Sequence, residues 1–198
     1  MHALTKIGAA VAVLSVAAFQ ASNQSPSAPP KDELAQFTSE GRLIRPKGYE
    51  EWVMVGASTG LSYAVPQRAP QPGAAPGMFH NIYLQRWAYR YAMERGEFPE
   101  GSMLVMTFYE PSRKSRPARV GFYEGNRVPG MEVHLKRKDA DPTGWAFYGF
   151  GDTTSSAAKI PGEAACYSCH KAEAAFDQAF VQFYPALRER LLGRRDTT

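Results

Sequence analysis

The stretch EAACYSCHKAE, residues 163–173, holds the chain's only two cysteines, Cys166 and Cys169, with His170 directly after them. On a helical turn, positions i and i+3 lie on one side, so both sulfurs can face the same object. His170, four residues after Cys166, sits roughly above it on that side. A porphyrin edge carries two vinyl groups that can each take a thiol as a thioether, and the iron then meets the adjacent imidazole. Cys-x-x-Cys-His is the haem c attachment sequence for that geometric reason.

Three other readings compete with haem c. A disulfide across two intervening residues closes a tiny loop and gains little entropy. A redox dithiol belongs beside a βαβ unit, and the chain lacks that alternation. Zinc needs two further ligands, and outside the leader only His80, His134 and His170 remain, with no paired spacing. The spacing therefore favours covalent haem c, one per chain, with His170 as the iron ligand.

The N-terminal MHALTKIGAAVAVLSVAAFQASNQS has one cation at Lys6, an apolar run from Ile7 to Phe19, and small residues at Ala18 and Ala21. That layout predicts a secretory signal peptide over residues 1–21, cleaved near Ala18 or Ala21. The run is shorter than the roughly 20 apolar residues needed to span a bilayer, so the mature protein is expected in the periplasm without a membrane span. A polar linker follows over 22–40, then one domain over 41–192 and a basic tail over 193–198. Lys and Arg outnumber Asp and Glu by 23 to 19, and much of the excess lies in the last helical segment, where a solvated face accounts for it. Nucleic acid is not an expected partner.

The elements that must position the motif read as α+β. YEEWVMVGAS (49–58) is rich in β-formers. AVPQRAPQPGAAPG (64–77) is a Pro- and Gly-rich loop, mobile or a lid. MFHNIYL (78–84) alternates like a strand with one buried face, and QRWAYRYAMERGEF shifts to a helical period with Gly96 as a stop. Four more strand-like segments follow, ending with GWAFYGFGD, which should be buried on both faces. From Pro161 the chain is Ala-rich and helical, with a kink or end expected around Tyr184 and Pro185. The predicted architecture is mainly antiparallel β-sheet with a middle helix and a C-terminal helical segment carrying the thiols.

Six pieces in order, YEEWVMVG, FHNIYL, YAMERGEFPEGSMLV, GMEVHLK, GWAFYGFG and ACYSCHKAEAAFDQAFVQFYPALR, resemble the cytochrome P-460 family, which includes the cytochromes c prime beta. The resemblance runs from about Pro46 to Arg188. It implies a β-rich subunit, usually a homodimer, holding one haem c with His170 on the iron and the opposite side open to small nitrogen or diatomic ligands. Members like cytochrome P-460 oxidise hydroxylamine and pass electrons to another cytochrome. The c prime beta members bind nitric oxide or carbon monoxide without known turnover. Where enzymatic members carry a lysine bonded to the porphyrin edge, this sequence has His80.

His80 is thus the first distal candidate, as a proton donor or acceptor with an ordinary pKa near 6.5, or else a half-buried strand imidazole. Glu132 is the best carboxylate for a proton relay, because apolar neighbours would raise its pKa, unless it points to water. Phe147, with Trp145 and Tyr148, could wall the haem or belong to the core. Met54, Met78, Met93, Met103, Met106 and Met131 are candidate sixth ligands that would make a simple electron carrier. Methionines in strands are more often core filler, which favours an open site.

Overall fold

Alternating apolar residues fold the middle of the chain into strands, because successive side chains leave a strand on opposite faces. The computed structural model describes residues 28–61, 74–113, 117, 120–125, 130–139 and 142–193. In chain order these form β1 (Leu43–Ile44), β2 (Val53–Thr59), β3 (Phe79–Leu84), α1 (Arg86–Arg95), β4 (Met103–Tyr109), β5 (Pro111–Arg113) and β6 (Phe122–Glu124). Then come β7 (Gly130–Lys136), β8 (Trp145–Gly151), β9 (Ser156–Ala157), α2 (Ala165–Glu173) and α3 (Pro185–Leu192). The expected signal peptide, most of the Pro-rich loop and nearly all of the basic tail lie outside the described residues. Among the described residues no helix is long and apolar enough to cross a membrane.

One antiparallel sheet organises the chain, in the order β2-β3-β4-β7-β8. The α+β architecture read from the sequence is the one observed. α1 connects β3 to β4 and ends at Gly96, whose φ of 77° lets its N–H donate to the Ala92 carbonyl at 2.9 Å. Glycine adopts that left-handed conformation without the steric cost of a Cβ.

The sheet separates two cores. On one side Met103, Val105, Val133, Leu135 and Tyr148 pack with Leu43 and Trp52. Residues 28–40 also pack onto the body: Glu33 is buried, and Gln85 Nε2 donates to its carbonyl at 3.0 Å. On the other side Leu84, Trp87, Leu104 and Trp145 meet the C-terminal segment through Val181, Tyr184 and Leu187. Gly56 permits that approach, since a Cβ there would lie 2.8 Å from the Tyr184 ring and 3.0 Å from the Phe183 carbonyl.

Two local expectations change. Tyr49–Glu51 is a 3-10 turn preceding β2, entered from Gly48 at φ 69°. The C-terminal helix breaks after Glu173, about ten residues before Pro185: Ala174 is extended, Val181–Phe183 is a 3-10 turn, and Pro185 opens α3. Proline suits a first helical turn, where its missing N–H is not needed. The earlier break follows from tertiary hydrogen bonds to Asp177 that outweigh the helix propensity of the alanines.

Candidate functional site

A cavity of about 470 Å³ lies between the sheet and the C-terminal segment, lined by Cys166, Cys169 and His170 of α2. Its sheet wall includes His80, Met106, Phe108, Glu132, His134 and Phe147, and Phe180, Phe183 and Tyr184 close it from the chain beyond α2. The size and mainly apolar lining suit a small-molecule or cofactor site. A smaller cleft of about 160 Å³ beside Leu34 and Trp52 is lined by Met103 alone of the candidate residues and by neither cysteine nor any histidine.

The helical spacing does what it promised, placing both thiols and the imidazole on one cavity wall. Cys166 and Cys169 are free and partly exposed. His170 Nδ1 lies 2.6 Å from the Gln178 carbonyl oxygen. A carbonyl only accepts, so Nδ1 carries the proton and Nε2 keeps its lone pair. Burial pushes the ring's pKa down, opposed by that hydrogen bond, and favours the neutral form that binds metals. The carbonyl is delivered by a turn in which Asp177 and Gln178 have φ of 43° and 60°. Neither is glycine, and such left-handed residues cost on the order of 1 kcal/mol each.

Phe147 is buried against this imidazole, with ring centroids 4.6 Å apart. It also stacks on His134 at 4.1 Å and 10°. His134 was weighed in the sequence only as a zinc ligand, yet its ring lies 4.8 Å from that of His170. Its Nε2 is buried without a hydrogen-bond partner, and burial, then the neighbouring His170, holds its pKa well below the ordinary value. The available signal was its two-residue offset from Glu132, which assigns both to one face. Trp145 is buried and Tyr148 turns to the opposite core, so of the three candidate wall aromatics only Phe147 lines the cavity. Tyr167 gains a role that the sequence did not give: its hydroxyl donates to the Ile160 carbonyl at 3.1 Å and accepts from the Phe147 N–H at 3.4 Å, docking α2 on β8.

His80 lies on β3, edge-on to Phe108, and burial lowers its pKa. Glu132 lies on β7, two strands away, so strand spacing alone separates them by about 10 Å. They share a cavity without forming a direct relay. Glu132 counts as exposed by surface area because it borders the open cavity, while the surrounding walls still desolvate the carboxyl and raise its pKa. Of the six candidate methionines, only Met106 lines the cavity. Met103 and Met131 are sealed in the opposite core, and Met54 is about half exposed.

Residues 46–181 match the family model for cytochrome P460. The chain belongs to the cytochrome P460 family. No curated protein matches the chain. Membership in the cytochrome P460 family implies haem and iron binding, and the site fits that group in three respects. One imidazole, protonated at Nδ1, leaves Nε2 with its lone pair, two thiols share its wall, and the cavity is apolar with few polar groups.

Proposed function

We propose that this is an exported mono-haem c-type cytochrome that binds and oxidises small nitrogen compounds, such as hydroxylamine or nitric oxide, at an open iron position. The convergence of Cys166, Cys169 and His170 Nε2 on one cavity supports this reading. When bound, the haem supplies a redox iron with one position for a small ligand. Cys166 and Cys169 would hold the porphyrin edge as thioethers, and His170 would offer Nε2 to the iron. Phe147 and Phe180 flank the imidazole and keep water from it. On the sheet side, neutral His80 is the base that takes a proton from a bound N–O compound. Glu132 exchanges protons at the cavity mouth, with a ligand or water bridging the gap to His80. Electrons leave to an accepting cytochrome, and the family resemblance implies a homodimer.

A second reading, capture of nitric oxide or carbon monoxide without turnover, is favoured by His80 standing where the resemblance places the cross-linking lysine. One set of measurements separates the two. Intact mass of the exported protein should show one covalent haem and an N-terminus near Ala18 or Ala21, and hydroxylamine should reduce an added cytochrome c. Haem-loaded protein that binds carbon monoxide but ignores hydroxylamine establishes the capture reading. Colourless protein with two free thiols overturns both.

A further inference from the structure

We infer that Asp177 is a positioning residue for the iron-ligating imidazole, clamping the turn whose Gln178 carbonyl fixes His170; this rests on the haem c reading above. Phe176 to Ala179 form a tight turn, closed by the Ala179 N–H donating to the Phe176 carbonyl at 2.7 Å. Its two central residues, Asp177 and Gln178, both have positive φ. That is the pattern of a type I′ turn, which favours glycine, asparagine or aspartate. Asp177 suits it, but Gln178 does not, so local preference alone holds it weakly.

Two sheet residues hold it shut. Lys136 Nζ donates to Asp177 Oδ2 at 2.6 Å, and the buried Trp145 Nε1 donates to Oδ1 at 3.1 Å. Lys136 and Trp145 are directly paired across β7 and β8, so both donors come from one rigid rung of the sheet. Phe176 packs edge-on against Phe98 at 6.0 Å and fixes the turn's entry. The carboxylate therefore takes up both donors, and the next residue's carbonyl is held 2.6 Å from His170 Nδ1.

That hydrogen bond sets the tautomer and makes Nε2 a stronger electron donor, which stabilises ferric over ferrous iron. Releasing the clamp lets the turn relax, withdraws the acceptor and weakens the ligand. The ferric form then loses its advantage and the reduction potential rises.

The test is redox titration and resonance Raman spectroscopy of the haem-loaded protein. Asp177→Ala should shift the ferric/ferrous equilibrium on the order of tenfold toward ferrous, about 59 mV upward for one electron, and lower the iron–histidine stretching frequency. Asp177→Asn, which keeps an acceptor for Trp145, should move both in the same direction by less. Leu135→Ala, a destabilising change in the opposite core, should move neither. If Asp177→Ala fails to load haem, Asp177→Asn decides. Loaded variants with lower stability but unchanged potential and stretch overturn the positioning role. Wild-type protein without thioether-bound haem removes the underlying reading, and this role with it.

Discussion

The two faces of the central sheet are built from the same strands yet solve different problems. On the closed face Val105, Val133, Leu135 and Tyr148 are buried and fill the space between the sheet and the N-terminal segment. On the opposite face their neighbours His80, Met106, Glu132, His134 and Phe147 leave a cavity and bring two imidazoles and a carboxyl to it. A two-residue period thus sorts one strand into stability on one side and chemistry on the other. The cavity face gives up packing for a site that a prosthetic group can fill.

The largest expected effect lies on the cavity side. Replacing Cys166 and Cys169 together with alanine should abolish acid-stable haem attachment, read by pyridine haemochrome and intact mass, while the closed core remains folded by far-ultraviolet circular dichroism. Next, His80→Ala should lower hydroxylamine oxidation about 10²- to 10⁴-fold if the imidazole is the base. Carbon monoxide affinity of the same variant should change far less, and equal losses in both would show a packing role instead.

Stability should reverse the ranking of the faces. Leu135→Ala on the closed side should cost about 2–5 kcal/mol in denaturant unfolding, because it opens a new void. Met106→Ala only enlarges an existing cavity and should cost less than about 1.5 kcal/mol. Its optical spectrum also tests the open iron site, which an unchanged spectrum supports and a lost sixth ligand contradicts.

The smallest effect concerns pH. Glu132 is held above its ordinary pKa by desolvation. The folded state therefore keeps a proton that the unfolded state releases, and stability is lost as pH rises from near 4.3, the unfolded value, through the folded pKa. Glu132→Gln removes that loss, so the variant should gain about 0.5 kcal/mol or less at pH 7 relative to pH 4. Denaturation curves at the two pH values check the sign.

Much of the α2 wall of the cavity was legible because it is local. Cys166, Cys169 and His170 lie within five residues, and helical geometry alone puts them on one side. β3 was legible from alternation, β4, β7 and β8 from β-forming runs bounded by turn residues, and Gly96 marked the end of α1. His134 was missed because its surroundings come from three elements: Trp145 and Phe147 on β8, and His170 on α2. Asp177 was missed for the same reason, its partners lying 32 and 41 positions earlier in the chain. The break after Glu173 was invisible too, since the alanines there favour helix.

The sequence by itself determined the Cys-x-x-Cys-His motif, the strand faces and the family, because each depends on residue type at short, fixed spacing. Only the tertiary structure decided which nitrogen of His170 is free, that His80 and Glu132 stand apart across two strands, and that one methionine reaches the cavity. Those outcomes depend on which distant segments meet. The meeting is fixed by the burial of two different cores on one sheet, a balance over the whole chain that short spacings do not encode.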